Sequence, residues 1–160
     1  MESLTEPASQ QPEIVTASEL AASKAPPVPG IFASQIDMPR GLPGFPNAGR
    51  FMLEPLGDAS AQLLRLKSLD IDDLAFLVLP IPENMPVIAA HDFTAACESQ
   101  EFASENVIVF LIVTLEQTPQ GIRLFANLRA PLLIETARKQ GAQVVLQSPG
   151  YPLRYALQAG

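Results

Sequence analysis

The chain contains no tryptophan, one cysteine and one histidine, and only 10 of its 160 residues are lysine or arginine. Each shortage removes a class of function. With Cys97 alone, no intrachain disulfide can form, which suits a reducing compartment. With His91 alone, a zinc site built from several histidines is impossible. The 17 aspartates and glutamates outnumber the basic residues and set a formal net charge of −7. Nucleic acid and anionic membranes are held by clustered lysine and arginine, so neither is an expected partner. A basic protein surface is the better electrostatic match. Long apolar runs are missing too. The longest, residues 107–113, falls far short of the roughly 20 residues a membrane-spanning helix needs. No basic region followed by an apolar stretch opens the chain, so no secretory signal is read and a cytoplasmic location is expected. Hydrophobic residues still make up 48% of the chain and aromatics only 6%, which implies a sizeable, mostly aliphatic core.

Two regions differ in composition. Residues 1–30 are rich in Ala, Ser, Pro, Glu and Gln and close on Ala25-Pro26-Pro27-Val28-Pro29-Gly30. Such a segment buries too little apolar surface to offset the entropy of ordering, so a disordered tail is expected there. A short capped helical pattern at residues 16–24 is marginal by itself. Residues 31–160 read as one β domain. Leu64-Arg65-Leu66-Lys67 alternates with the period of a half-buried strand. Leu74-Ala75-Phe76-Leu77-Val78-Leu79 is a strand ended by Pro80. Residues 107–115 are β-branched-rich and predict a strand buried on both faces. Further strands are expected at 51–54, 122–128, 132–135 and 142–147, the last two joined through Arg138-Lys139-Gln140-Gly141. One helix is expected over 93–102, with Phe93, Ala96 and Cys97 on one face. Sixteen prolines disfavour longer helices. The fold class is therefore all-β with a minor helix, a small antiparallel barrel-like domain or sandwich.

Charge is uneven along the chain. Residues 68–122 hold nine acidic side chains and no lysine or arginine, whereas residues 123–160 hold five basic side chains and Glu135 as the one acid. Three short motifs carry possible function. Gly41-Leu42-Pro43-Gly44-Phe45 suits a type II turn with Pro43-Gly44 at its centre. Leu42 and Phe45 either plug the core or meet a partner. Asp70-Ile71-Asp72-Asp73 fails as a calcium loop, since the positions that need Gly and Glu are Ala75 and Ile81. A solvated turn is expected there. In Asn127-Leu128-Arg129-Ala130-Pro131 the proline cannot donate to a ladder, so the strand ends there or lies on an edge, and the segment either stabilises the fold or meets a partner. Arg129 lies opposite Leu128 and is expected at the surface.

Catalysis finds little support. His91-Asp92 could serve a small hydrolase or ligand-binding barrel, but no serine sits in a Gly-x-Ser-x-Gly elbow. A polar residue at a helix start is the simpler reading. Cys97 falls on the apolar face of the expected helix and is read as buried. No glycine-rich phosphate loop occurs. No enzyme activity, cofactor or metal is expected.

Taken in order, these pieces resemble the FliW family of flagellar assembly factors. The resemblance runs from the 41–45 turn and Phe51-Met52-Leu53, through Leu74-Ala75-Phe76-Leu77-Val78 and Ile112-Val113-Thr114. It continues through Ala126-Asn127-Leu128-Arg129-Ala130-Pro131 to Gln143-Val144-Val145-Leu146 and Tyr151-Pro152-Leu153-Arg154. Three departures stand out: the N-terminal segment, the proline-rich stretch 80–90, and Glu135 where the family usually has Asn. The resemblance implies a protein that is monomeric when free. It would bind flagellin in the cytoplasm and antagonise CsrA, a small RNA-binding translational repressor, so coupling flagellin synthesis to export. A narrower alternative is a flagellin-binding chaperone that has lost CsrA binding. Within the resemblance, Leu42, Pro43, Phe45, Asp70, Asp72, Asp73, Asn127 and Arg129 are the expected partner-binding residues.

Overall fold

The structure is a computed structural model that describes residues 34–56, 63–81 and 87–157. The expected tail, and half of the proline-rich 80–90 stretch, lie outside the described residues. Nine strands follow in order: β1 (Gln35–Asp37), β2 (Arg50–Pro55), β3 (Leu64–Ser68), β4 (Ala75–Ile81), β5 (Val107–Thr118), β6 (Gly121–Ala126), β7 (Leu132–Glu135), β8 (Gln140–Gln143) and β9 (Tyr155–Leu157). One α-helix, α1 (Ala90–Ser99), and a single 3-10 turn (Ser104–Asn106) separate β4 from β5.

The strands close on themselves. The order is β4-β3-β2-β1-β8-β7-β5-β6-β9, and β4 also pairs with β5, so seven strands form a ring with β6 and β9 attached outside it. Of the two architectures expected, the barrel-like one is present. The length of β5 makes this possible. Its residues from Val107 to Phe110 pair with β7, and those from Val113 to Thr118 pair with β6 along the same edge. Its opposite edge takes β4 between Val109 and Val113. One junction departs from the antiparallel expectation: β1 meets β8 in parallel, through the single pair Asp37↔Gln140.

Two cores lie on opposite faces of the shared strands. Ile36, Met38, Phe51, Leu53, Leu66, Val78, Phe110, Leu132 and Ile134 fill the barrel. Leu79, Leu111, Val113, Ala126, Leu133 and Leu157 face outward and are covered by Ala96 and Cys97 of α1 and by Leu146 and Tyr151. Phe110 and Leu111 are adjacent in sequence and buried in different cores, which explains the continuous apolar run in β5. β3 keeps its alternation, with Leu64, Leu66 and Ser68 inward and Arg65 and Lys67 outward.

Several boundaries differ from expectation for local reasons. Pro80 does not end β4. The β3–β4 register stops at Leu64↔Val78, so Pro80 lies beyond it while still opposite Phe110 of β5. A proline is tolerated where one edge makes no ladder bond. β8 starts two residues earlier than expected, because Lys139 takes the left-handed conformation (φ 56°) and completes the turn before Gln140. Val144 and Leu146 still donate their N–H groups to the Pro131 and Arg129 carbonyls, so the chain stays extended past the strand. β6 ends at Ala126, where the chain turns through Asn127.

The helix begins at Ala90, before the expected Phe93, and stops at Ser99. Its end is a Schellman motif. Phe102 N–H donates to the Cys97 carbonyl, Glu101 N–H donates to Glu98, and Glu101 sits at φ 59°. Glycine usually holds that position; here Arg138 donates to the Glu101 carbonyl and its guanidinium lies over the Phe102 ring.

Candidate partner-binding surfaces

The 41–45 turn has the geometry its residues dictate. Phe45 N–H donates to the Leu42 carbonyl at 2.7 Å, and Gly44 takes φ 87° at the third turn position. Gly41 is also left-handed, and a Cβ there would fall 2.6 Å from the Phe45 carbonyl oxygen. No other residue fits without moving backbone. The two apolar residues then part company. Leu42 is 3% exposed and fills the barrel, so it cannot touch a partner of the folded protein. Phe45, 36% exposed, does not plug the core but leans edge-on against Phe76 at the start of β4, with ring centres 5.7 Å apart. Pro43 is exposed beside it.

The Asp70-Ile71-Asp72-Asp73 turn lies at the same end of the barrel, but its aspartates have different roles. Asp70 accepts hydrogen bonds from the Gly49 and Arg50 backbone N–H groups and from the Arg50 guanidinium. The side-chain hydrogen bond from Arg50, followed by the Gly49 N–H, holds its carboxyl below the ordinary value. Asp70 therefore ties the β3–β4 turn to the start of β2 and is not free for a partner. Asp72 and Asp73 stand exposed, Asp73 with φ 64°. So the structure brings Pro43, Phe45, Asp72 and Asp73 to one barrel end.

Asn127 and Arg129 belong to a different place. Asn127 Oδ1 accepts the Ala130 N–H at 3.0 Å, an Asx turn that carries the chain from β6 to β7. Leu128 is buried, as its sequence position implied, and its N–H donates to Pro152. Arg129 is at the surface, and its Nε donates to the Tyr151 carbonyl. The segment fastens the 151–154 loop to the barrel.

Asp92 is the centre of a second fastening. It accepts hydroxyl hydrogen bonds from Ser148 and Tyr151, each 2.8 Å, while the Tyr151 oxygen accepts the Ala89 N–H. Bonds from Tyr151 first and Ser148 second lower the Asp92 carboxyl from its ordinary value; burial raises the Tyr151 hydroxyl. His91 is 80% exposed and lies 3.3 Å from Asp92. The Ser148 hydroxyl donates to the carboxylate and not to the imidazole, so these three residues do not form a nucleophile–base relay. The group anchors the helix start, the role that polar residues at this position suggested.

Glu135, the expected departure from family pattern, is buried. It accepts the Ala103 N–H and the Arg138 guanidinium, and these contacts, Arg138 first, hold its carboxyl low. Cys97 lies on the buried face of α1, and burial, then the charges of Glu135 and Glu98, push its thiol up to about 11. Among the described residues no cluster of His, Cys, Asp and Glu could hold a metal ion, and no helix is long and apolar enough to cross a membrane.

Sequence reasoning missed one surface. The hairpin of β5 and β6 runs past the second core and exposes Leu115 (47%) and Ile122 (57%). Leu115 was expected inside a two-face-buried strand. Its exposed neighbours Thr114, Glu116 and Gln117 were the available signal, since they break the apolar run before the strand ends.

The geometry defines a class: a small ring-closed β-barrel with a helix-covered second core and exposed loops at one end. A family model described as FliW protein matches residues 30–157. The Syntrophus aciditrophicus flagellar assembly factor FliW is 33% identical over 119 residues, covering 74% of this chain and 73% of that protein. The Exiguobacterium protein of the same description is 34% identical over 124 residues, covering 72% and 78%. A crystal structure of the flagellar assembly factor FliW superposes with a TM-score of 0.58 at 22% identity, over 79% of this chain and 86% of that one, which shows a shared fold. The chain belongs to the FliW family of flagellar assembly factors.

Proposed function

We propose that this protein binds flagellin in the cytoplasm and, when flagellin has been exported, binds the translational repressor CsrA and relieves its block on flagellin synthesis. The carrying observation is the family match across residues 30–157, which spans the whole described barrel. No bond is made or broken in this scheme. Each partner shifts the population of protein available to the other. The exposed acidic pair Asp72 and Asp73 beside Phe45 is the surface we assign to a basic partner, with complementarity acting mainly on association rate and partner choice. Asp70 and Leu42 leave that assignment, the first because it is bonded internally and the second because it is buried.

The narrower reading, flagellin binding without CsrA, drew on Glu135 and on the 80–90 stretch. Glu135 is buried against Arg138 and Ala103, so its difference from the family is compensated inside the fold and does not face a partner. The full switch is therefore the preferred reading. Its test is co-elution on a sizing column at low salt with purified CsrA and, separately, purified flagellin. Complexes with both are expected, the CsrA complex weakening as salt rises. Co-elution with neither would sink the proposal.

A further inference from the structure

β5 outruns its neighbours. Its pairing with β4 stops at Leu77↔Val113, yet the strand continues to Thr118 with β6 alone on its other side. Residues 114–118 thus leave one strand edge without a ladder partner among the described residues. Backbone groups alternate between the two edges of a strand. The Asn106 and Ile112 carbonyls accept from Thr136 and Asn127, on the side where β7 and β6 lie. Even-numbered residues therefore serve that side, and Leu115 and Gln117 turn their N–H and C=O groups to the open edge.

Natural edges are usually blunted by lysine, proline or a bulge. Residues 114–118 are Thr, Leu, Glu, Gln and Thr, and proline comes only at 119. One face of the arm carries the exposed apolar residues Leu115 and Ile122; the other carries Glu116, which pairs with Arg154. The open edge forks from β4 at Leu77, and β4 runs back from there to Ala75 and the turn that holds Asp72 and Asp73. No lysine or arginine lies between residues 68 and 122, so the exposed acids at the fork are Asp72 and Asp73, while Glu116 of the arm is already matched by Arg154 and faces Arg123 across the hairpin.

We propose that the β5–β6 arm adds an extended, lysine- or arginine-bearing segment of a partner protein as a further strand along residues 114–118. Ladder bonds to Leu115 and Gln117 supply register, an apolar side chain of the segment covers Leu115, and its cations face Asp72 and Asp73. The exposed apolar area of two side chains is far below the roughly 800 Å² per partner that a stable dimer buries, which favours one short strand over a second copy of this chain. This rests on the proposed partner-binding role and locates it.

The test is amide exchange read residue by residue in the full chain, with two blocked probe peptides, alternating Lys-Val and alternating Glu-Val, and separately with CsrA and flagellin. The Leu115 and Gln117 amides should exchange freely in the protein alone and become protected by the Lys-Val peptide, not by the Glu-Val one. Gln117→Pro removes an edge donor and should weaken the peptide about tenfold, as expected for one or two lost edge bonds, whereas Gln117→Ala should not. Amides already protected in the free chain, equal protection by both peptides, or none by either would overturn the inference. Protection by the peptide with no binding of CsrA or flagellin would leave the strand-adding edge standing and defeat the proposed partners instead.

Discussion

At the scale of single residues, the fold depends on a few positions with no tolerance. Gly41 combines φ 66° with a Cβ site 2.6 Å from a carbonyl oxygen. Gly41→Ala should cost about 2 kcal/mol or more, from left-handed strain plus displaced backbone, measured as a lower urea midpoint. Phe45→Ala should lower that midpoint less than Gly41→Ala does, since the half-exposed ring loses an edge contact with Phe76 worth about 0.5–1.5 kcal/mol but no backbone has to move. Asp92 shares the acid side of stability with Asp70 and Glu135, whose carboxyls are also held low. The Asp92 carboxyl is held below the ordinary 3.8, so its bonds to Tyr151 and Ser148 contribute fully above that value. The contribution fades as pH falls through the lower, folded-state value. Asp92→Asn should therefore flatten the loss of stability below pH 3.8, as followed by thermal melts across pH. Unchanged steepness would remove Asp92 from that role. The turn at 41–45 was legible because Pro-Gly chemistry is local. The separate fates of Leu42 and Phe45 were not, because which of two bulky residues points inward depends on where β4 passes.

At the scale of elements, α1 ends on an unfavourable residue. Glu101 occupies the left-handed Schellman position, and Arg138 holds its carbonyl. Glu101→Gly should raise stability by roughly 0.5–1 kcal/mol in denaturant unfolding, because glycine adopts that conformation without the Cβ penalty. A drop would mean that the Glu101 side chain contributes something the geometry does not contain. The strongly patterned strands were legible: β3 and β7 fall where alternation and apolar content placed them. β1 and β9 are three residues each, too short for any period to register, and tertiary pairing alone defines them. Pro80 misled because a proline's veto on a strand applies only where its missing N–H is needed.

At the scale of the whole molecule, the acidic middle and basic end of the chain do not stay apart in space. Arg154 pairs with Glu116 across 38 positions, and the Arg138 guanidinium donates to the Glu101 carbonyl across 37. Among the described residues of that middle, exposed acids outside ion pairs fall in two places, Glu98, Glu101 and Glu105 around the end of α1 and Asp72 and Asp73 at the barrel end that carries Phe45. Asp72→Lys with Asp73→Asn, the second chosen because Asn tolerates φ above zero, should weaken a basic partner without lowering the melting temperature. The domain family was legible because its motifs recur in a fixed order. The arm of β5 and β6 was not, because exposure of an apolar residue is decided by where its neighbours stop.

The central claim is that one barrel serves two partners and that one partner governs access to the other. It is tested most directly by titrating CsrA into the full chain in a calorimeter, first alone and then with flagellin already bound. Heat of binding to the free protein, and a clearly weaker or absent signal once flagellin occupies it, is the predicted result. Equal CsrA affinity in both titrations would contradict the account.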